Sequence, residues 1–552
     1  MKNQPNIEQK KIKCALALVN VLEKEGVKLV FGHPGEQILS FYEALRLSNI
    51  KHILTRHEQS AAHAADGYAR ASGKFGVCIA TAGPGALNLI MGIATAYKDS
   101  VPILVITGDV PTSQRGTGAF QDIDLCSVFN AVTLKSFYCH DAPEAIENMI
   151  NAIEILKKGI TGPVHINLPK NILEDMIKLP LPSNSSKNNY LNKIDVLKIN
   201  KVLKLINSAK KPLIVAGAGL IWGGALKEIN ELVKTLQIPL STTYPSRGVI
   251  PENNQLCLGL IGNRGTPVSN YAGKNCDLII GLGCRFSERT LSGIGKTEII
   301  HVNIDPGTLK GNINIQMDVK EFLNEILKLK ELIYYKDDQY MQNWWLELNK
   351  YRDKHPAPYD MKFNYYERPL MPQQAIKKIL DASGDSIIVN DAGTHTTWVT
   401  LYKKVLRPSS LLFSGGFGPM GYGLPAAIGA SFAYPDESIL VIVGDGGFQM
   451  TLQELATIHQ NKLPIVICVI NNHSLGIIRQ WQEMYHGETY EVELENPDFV
   501  KLGQSYEIDS TRCDSLDSVF NAVEKGIKLK KPFLIDISVQ NENIPLAYNI
   551  KK

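Results

Sequence analysis

The chain has 552 residues, of which 44% are hydrophobic and 20% are charged, and its formal net charge is +3. This is the composition of a folded protein with about three domains, and so small a charge disfavours nucleic acid and anionic membranes as partners. No apolar run approaches the ~20 residues that cross a bilayer, and the polar, Lys-rich start lacks a secretory apolar region. The nine cysteines fall singly, without a Cys-x-x-Cys pair. They indicate reduced core residues, and we therefore expect a cytoplasmic protein.

Short β-like runs alternate with helix-period stretches, which predicts α/β layers with parallel sheets. In the first segment, residues 1–178, the predicted strands are 29–31, 52–55, 76–81, 103–107 and 164–168. A Pro- and Ser-rich stretch, residues 179–189, is typical of a linker.

The second segment, residues 192–334, has predicted strands at 212–216, 278–281 and 299–304. A charged and aromatic connector, residues 336–369, precedes the third segment, residues 370–552. We therefore predict three doubly wound parallel-sheet domains with these boundaries.

The third segment contains an acidic, glycine-rich turn between two apolar runs. Residues 438–443 lead into Gly444-Asp445-Gly446-Gly447, and residues 464–470 lead into Asn471-Asn472. A helix-period stretch lies between them, so the pattern predicts a βαβ unit with Asp445 and Asn472 side by side at the carboxyl ends of its strands, where ligands bind. One carboxylate and one carboxamide suit Mg²⁺ with phosphate oxygens, and the glycines let backbone N–H groups approach phosphate. An ordinary βαβ turn with a capping Asp is the alternative.

This turn resembles the thiamine-diphosphate (ThDP) motif of the 2-oxo acid decarboxylases and carboligases. The rest of the chain resembles one branch of that superfamily, the catalytic subunit of acetolactate synthase (acetohydroxyacid synthase). The resemblance covers essentially the whole chain and rests on Phe31-Gly-His-Pro-Gly35, Arg56-His-Glu-Gln59, Gly83-Pro-Gly85, Gly118-Ala-Phe-Gln121, Gly162-Pro163, Leu168-Pro-Lys170, Gly416-Phe-Gly-Pro-Met-Gly-Tyr-Gly-Leu-Pro425 and Gln480-Trp-Gln482.

Glu58 follows a predicted strand and enters a helix-period stretch. Taken alone, such a carboxylate is more often a cap or half of an ion pair with a neighbour such as Arg56. Thiamine chemistry, however, needs a protonated acid against N1′ of the aminopyrimidine, and burial keeps a glutamate protonated because desolvation disfavours its charged form. The resemblance implies that Glu58 is this acid.

The resemblance also implies the remaining site residues. Asp445, Asn472 and the carbonyl of Ser474 would hold Mg²⁺, and Met420 would keep the cofactor bent. The implied cofactor-lining positions are Pro34, Gly35, Gly393, Thr394, His395, Gly418, Gly446, Gly447, Gly476 and Ile477, and the implied catalytic and substrate positions are Gln121, Phe120, Lys170 and Trp481. Read alone, Met420 and Trp481 fit core packing equally well, and Lys170 is more often a solvated surface lysine.

The central segment resembles the stretches that hold a non-redox FAD in acetolactate synthases. Arg285 would face a diphosphate, and Asp305 or Asp318 a ribose, although related ThDP enzymes keep this domain with other ligands or none. The pattern Gly416-Phe-Gly-Pro-Met-Gly421 also fits a dinucleotide fingerprint, but no long strand precedes it, which disfavours NAD there.

The implied activity is decarboxylation of a 2-oxo acid, pyruvate, and carboligation to a second 2-oxo acid. The resemblance further implies a homo-oligomer whose active sites lie at a dimer interface, and a separate regulatory subunit. Glu36-Gln37 stands where acetolactate synthases usually have Gly and Ala, so a paralogue acting on a different 2-oxo acid is the first alternative. A catalytically silent nucleotide-binding subunit is the second, and the presence of Glu58, Asp445 and Asn472 together argues against it.

Overall fold

The computed structural model describes residues 11–157, 159–178, 196–333, 338–365 and 369–545. The predicted linker 179–189 and parts of the connector 336–369 lie outside these residues. Within them the chain forms three six-stranded sheets, in which every strand pair is parallel, and one two-stranded antiparallel sheet.

The first six-stranded sheet has the strand order β3-β2-β4-β5-β7-β6, and β1 pairs with β8 separately. The strands are β1 (Lys11–Lys13), β2 (Leu29–Gly32), β3 (Lys51–Leu54), β4 (Gly76–Ala80), β5 (Ile103–Asp109), β6 (Lys135–Tyr138), β7 (Pro163–Pro169) and β8 (Met176–Lys178). The helices are α1 (Cys14–Lys24), α2 (Leu39–Arg46), α3 (Glu58–Ser72), α4 (Pro84–Asn88), α5 (Ile90–Asp99), α6 (Leu125–Asn130), α7 (Ala142–Lys157) and α8 (Lys170–Glu174). All five predicted strands are present, shifted at their ends by at most two residues.

The second sheet has the order β11-β10-β9-β12-β13-β14. Its strands are β9 (Pro212–Ala216), β10 (Leu240–Thr242), β11 (Cys257–Leu260), β12 (Leu278–Leu282), β13 (Glu298–Asn303) and β14 (Ile313–Gln316). The helices of this segment are α9 (Val196–Ser208), α10 (Gly219–Trp222), α11 (Leu226–Leu236), α12 (Pro267–Asn275), α13 (Glu288–Leu291), α14 (Val319–Lys328) and α15 (Asp338–Lys354).

The third sheet has the order β16-β15-β17-β18-β20-β19. Its strands are β15 (Ile387–Asn390), β16 (Leu411–Leu412), β17 (Ile439–Gly444), β18 (Ile465–Asn471), β19 (Asp509–Cys513) and β20 (Phe533–Ser538). The helices are α16 (Pro372–Ser383), α17 (Thr394–Tyr402), α18 (Gly423–Ala433), α19 (Asp445–Gln449), α20 (Leu455–Gln460), α21 (Gly476–His486), α22 (Phe499–Ser505) and α23 (Leu516–Leu529). A 3₁₀ turn, Leu452–Glu454, precedes α20.

The central strands of these sheets read as apolar runs because helices cover both of their faces. Strands β4, β5, β7, β12 and β17 are buried along almost their whole length. The prediction of three doubly wound parallel sheets is confirmed, while the domain boundaries stay a prediction. By contacts the described residues form two compact units, one from within residues 1–189, 416–435 and 451–463 and one from the other described residues.

In the first unit, α3 and α18 pack backbone to backbone. A Cβ atom on Gly67 would lie 2.0 Å from the Ala426 carbonyl oxygen, and one on Gly429 would lie 1.9 Å from the Ala64 carbonyl oxygen. No side chain fits between the two helices at either crossing point, so glycine is required at both for steric reasons.

A buried ionic network fixes the loop that leads into α18. Arg70 contacts Asp66 at 2.6 Å and Asp99 at 2.7 Å, and the Tyr422 hydroxyl donates to Asp66 at 2.8 Å. The second Asp99 oxygen accepts the N–H of Gly416 at 2.7 Å. This network therefore holds both ends of the glycine-rich stretch from Gly416 to Tyr422.

All nine cysteines are free, and eight of them are buried, as predicted. Among the described helices, none combines the length and the apolar character that crossing a membrane would require.

We expect Gly429→Ala to destabilise the first unit by about 1–3 kcal/mol, because the added methyl group overpacks the contact between α3 and α18. In an unconstrained helix the same change would stabilise by up to about 1 kcal/mol. Denaturant unfolding measures the difference. Glu147→Ala, an exposed position on α7, is the control, and a Gly429→Ala variant as stable as wild type would contradict the packing argument.

Candidate functional site

Glu58 is the first residue of α3 and is buried. The preceding His57 is the N-cap, and its ring accepts the N–H of Gln59 at 3.1 Å. Asn88 Nδ2 donates to Glu58 Oε2 at 2.9 Å. Gly85 faces the other oxygen, since a Cβ atom there would lie 3.1 Å from Glu58 Oε1. The carboxyl group is therefore held on one side and open to a close neighbour on the other.

Thr81 links this carboxyl to the turn after β2. Cβ atoms on Gly35 and Gly85 would lie 2.4 Å and 2.8 Å from the Thr81 side chain, and Gln37 donates its N–H to Thr81 Oγ1 at 3.3 Å. The structure thus gathers the predicted Pro34-Gly35 turn and Glu58 at the carboxyl ends of β2 and β4.

Gln121 lies close to Gly83, because a Cβ atom added to this glycine would be 2.9 Å from Gln121 Cβ. Gln121 adopts a left-handed backbone with φ of 67°, and its buried Oε1 accepts no hydrogen bond from the described residues. An unsatisfied buried amide oxygen in a strained turn indicates a ligand-facing group. The neighbouring Phe120 is 79% exposed.

Glu36 and Lys170 form an ion pair, with Lys170 Nζ 3.1 Å from Glu36 Oε1. Both side chains are partly solvent-exposed, at 62% and 32% respectively. Gln37, in contrast, is buried. The carboxylate that replaces the usual glycine is therefore paired with the predicted substrate lysine.

Gly418 and Met420 lie in the glycine-rich loop of the first unit. Gly418 has φ of 66° and is exposed, so only a residue tolerant of the left-handed region fits there. Met420 is half-buried, which leaves part of its side chain free to contact a ligand.

The three predicted metal ligands converge after β17 and β18. The side-chain oxygen of Asn472 lies 3.0 Å from the Ser474 carbonyl oxygen and 3.2 Å from Asp445 Oδ1. In this orientation Asn472 Nδ2 donates a hydrogen bond to Asn541 Oδ1. Rotating the Asn472 amide would point its nitrogen at Ser474 and Asp445, but it would also bring its oxygen within 2.8 Å of Asn541 Oδ1, another acceptor. Oxygens about 3 Å apart match neighbouring ligands of an octahedral Mg²⁺ ion.

Asn496 orients the carboxylate of this set. Its Nδ2 donates to Asp445 Oδ2 at 2.7 Å and to Asn471 Oδ1 at 2.9 Å, and its oxygen accepts from Gln449 at 2.9 Å. Burial raises the pKa of the Asp445 carboxyl, and the Asn496 hydrogen bond opposes that shift. Among the described residues no cluster of three His, Cys, Asp or Glu side chains could hold a metal ion.

The predicted phosphate-side residues surround these oxygens. Gly393 is the N-cap of α17, and His395 on that helix is buried beside Gly393 and Gly444. Burial lowers the pKa of His395 to about 4, so its ring is neutral near pH 7. A Cβ atom on Gly476 would lie 3.0 Å from Asn472 and 3.3 Å from Thr394. The ends of β15, β17 and β18 thus form one glycine-lined edge, which includes Gly446 and Gly447 at the start of α19.

On α21, Trp481 is half-buried and stacks on Tyr485 with 5.6 Å between ring centroids. Ile477 on the same helix packs against the apolar core of this segment. Trp481 therefore keeps an accessible face, unlike a core tryptophan.

Two of the residues predicted to bind FAD in the central segment accept hydrogen bonds from nearby backbone N–H groups. Asp305 Oδ1 accepts the N–H of Gly307, and Asp318 Oδ1 accepts the N–H groups of Lys320 and Glu321. Arg285 is exposed. Because both carboxylates already cap local turns, these contacts explain them without a flavin, and FAD stays a prediction.

Sequence reasoning missed Asn88, Asn496 and Asn541, which touch the predicted site residues. No spacing signals them, since each lies in a segment remote from its partner. Asp391, which lies 3.4 Å from a Cβ atom built on Gly447, follows the apolar strand β15 as Asp445 follows β17, and that pattern would have found it.

Family models of thiamine pyrophosphate (thiamine diphosphate) enzymes match three parts of the chain. The N-terminal TPP binding domain matches residues 12–128, the central domain residues 199–326 and the C-terminal TPP binding domain residues 391–537.

Similar proteins cover nearly the full length. A "Probable acetolactate synthase large subunit" of Methanocaldococcus jannaschii is 41% identical over 97% of this chain and 93% of its own length. An "Acetolactate synthase large subunit" of Cyanidium caldarium is 39% identical over 95% and 93%. The Haemophilus influenzae protein of the same name is 34% identical over 96% and 95%.

We expect Asp445→Ala and Asn472→Ala to weaken Mg²⁺-dependent ThDP binding by about 10–100-fold, because each removes one oxygen of the converging set. Titration calorimetry at several Mg²⁺ concentrations measures this, and excess metal should restore part of the affinity. Asp436→Ala removes an exposed acid from the same unit and is the control. Wild-type affinity in both variants would refute the metal site.

We expect Glu58→Gln to fold normally and to lose about 10²-fold or more of C2–H exchange in bound ThDP, because an amide cannot exchange a proton with N1′. Acid-quench NMR follows the exchange in D₂O. Glu147→Gln, at an exposed position, controls for the isosteric change. Exchange at the wild-type rate would remove Glu58 from cofactor activation.

Proposed function

Because this chain belongs to the thiamine-pyrophosphate enzymes and groups with the acetolactate synthase large subunits, we propose that it decarboxylates pyruvate and joins the two-carbon unit to a second 2-oxo acid. The product of the reaction with two pyruvates would be acetolactate. ThDP, when bound, supplies the electron sink for decarboxylation and the carbon nucleophile for ligation.

The observation that supports this proposal most directly is the converging set of Asp445, Asn472 and Ser474 oxygens. The set would hold Mg²⁺, and through it the diphosphate, at the glycine-lined edge of the third sheet. Gly446 and Gly447 lie in the first turn of α19, where the helix end favours an anion.

Glu58 would hold the proton that N1′ of the aminopyrimidine requires. Its open side at Gly85 gives a ring nitrogen access to Oε1, and Asn88 fixes Oε2. In this proposal Met420 supports the bent cofactor, and Gln121 directs its unsatisfied oxygen toward the reacting groups. Phe120, Lys170 and Trp481 would contact the substrates.

A second candidate function is the same chemistry with a different 2-oxo acid as acceptor. The Glu36–Lys170 ion pair favours it, because a lysine that already has a carboxylate partner offers less charge to an anionic substrate. The pair is exposed, so its contribution is about 0–1 kcal/mol. That amount changes the preference among acceptors without preventing the use of any one of them.

We also propose that the protein is a cytoplasmic homodimer or higher oligomer with shared active sites. The relatives are named large subunits, which supports the proposal of a separate regulatory subunit. Light scattering of the purified chain tests the oligomeric state, and a monomer with full activity would contradict shared sites.

The function is tested by incubating purified protein with ThDP, Mg²⁺ and pyruvate. We expect acetolactate and CO₂ in equal amounts, with little acetaldehyde, because ligation to a second 2-oxo acid consumes the two-carbon unit. Acetaldehyde as the main product would indicate a simple decarboxylase. Failure to turn over pyruvate, with turnover of another 2-oxo acid, would select the second candidate.

We expect Trp481→Leu to retain decarboxylation and to change the preference between pyruvate and 2-oxobutyrate as acceptors by roughly 10-fold, the size of one apolar contact. Competition between the two acceptors measures the ratio. Tyr485→Leu removes only the exposed stacking partner and serves as the comparison. An unchanged ratio in Trp481→Leu would mean that its ring does not line the acceptor site.

A further inference from the structure

The carboxylate of Glu454 is completely buried at the end of the 3₁₀ turn Leu452–Glu454. Burial raises the pKa of this carboxyl, and the hydrogen bond from Thr457 opposes the shift. In the described part of the chain no Lys, Arg or His forms an ion pair with it, and its hydrogen-bond donors are neutral groups. Burial of a carboxylate without a cation costs free energy, and its hydrogen bonds offset part of that cost.

Those hydrogen bonds converge on the turn that leads into α3. Glu454 Oε1 accepts the backbone N–H groups of two consecutive residues, Arg56 at 2.9 Å and His57 at 3.1 Å. Oε2 accepts the Thr457 hydroxyl at 2.6 Å. The N–H groups of Arg56 and His57 precede the helix and have no partner within it, so Glu454 satisfies donors that α3 leaves open.

The turn is also anchored immediately upstream. The N–H of Thr55 donates to the carbonyl of Gly32 in β2 at 3.1 Å. Three successive N–H groups, those of Thr55, Arg56 and His57, are therefore fixed before the chain reaches Glu58. The carbonyl of Gly32 in the sheet accepts the first of these hydrogen bonds, and Glu454 accepts the other two.

The side chain of Glu58 is fixed separately, by the hydrogen bond that Asn88 donates to Oε2. The backbone and the carboxyl of Glu58 thus have different supports. The Glu454 support can be changed without touching any atom of Glu58 or any group that faces it.

We propose that Glu454 is a positioning residue, which sets the backbone position of Glu58 by accepting the N–H groups of Arg56 and His57 through one oxygen. The proposal rests on the proposed role of Glu58 in cofactor activation. A displacement of about 1 Å at a reacting group costs on the order of 10²-fold in rate. In this proposal the rate of cofactor activation therefore depends on where the accepting Glu454 oxygen lies, and not on whether the side chain is charged.

Two substitutions separate reach from charge. Glu454→Gln keeps an acceptor oxygen at the same distance and removes the charge. Glu454→Asp keeps the charge and withdraws the oxygens by the length of one methylene group. Gln453→Ala changes the adjacent side chain, which makes none of these hydrogen bonds, and is the matched control.

The measurement is C2–H exchange of bound ThDP in the full-length protein with saturating Mg²⁺ and no 2-oxo acid, expressed per bound cofactor. We expect Glu454→Gln and Gln453→Ala to exchange within about threefold of wild type, and Glu454→Asp to be slower by about 10–100-fold. In a Glu58→Gln background, Glu454→Asp should produce no further loss, because the group that it positions is already inactive.

The opposite pattern, slow exchange in Glu454→Gln and normal exchange in Glu454→Asp, would overturn the proposal in favour of a charge effect. A lower unfolding midpoint or lower ThDP occupancy in Glu454→Asp with unchanged exchange per bound cofactor would assign Glu454 a purely structural role and would also overturn it. Because exchange needs no carbonyl substrate, these outcomes do not depend on which 2-oxo acid is used. Normal exchange in Glu58→Gln would instead refute the role of Glu58 itself.

Discussion

Strands buried on both faces are the constraint on which this structure depends. Within β17 and β18 almost every position is buried, and the backbone groups are used in the parallel ladder. In β17 and β18 the polar side chains stand where the strand ends, and all strands of a parallel sheet end on one side. Asp391, Asp445 and Asn472 are therefore gathered at one edge by the architecture, before any ligand contributes.

The buried acids differ in how their charge is compensated, and the difference follows their roles. Asp66 contacts the Arg70 guanidinium, so its charge is neutralised within the protein and it stabilises the packing of α3. Asp445 is oriented by the neutral Asn496 amide and by the Gly446 N–H, and in the described part of the chain it forms no ion pair with Lys or Arg. Glu58 receives one side-chain hydrogen bond in the described part of the chain, from Asn88, and keeps an oxygen free for a partner.

Glycine supplies the close approaches that these arrangements need. At Gly67 and Gly429 the neighbour is the backbone of another helix, and the gain is rigid packing of the helix that begins with Glu58. At Gly85 and Gly476 the neighbours are the side chains of Glu58 and Asn472, and the gain is access to those groups. Glycine thus permits close helix packing at two positions and close approach to site residues at two others. The neighbouring group alone distinguishes the two uses.

The sequence by itself determined the parallel α/β class, the apolar central strands and the turn that carries Asp445, because these depend on residues close together in the chain. It did not predict edge strands such as β6 and β19, which lack a continuous apolar run, or β16, which has two residues. It also placed no emphasis on Asn496 or Glu454. Only the tertiary structure decided these partners, because a hydrogen bond acts over about 3 Å in space, and segments distant in sequence reach that distance only once the sheets have formed.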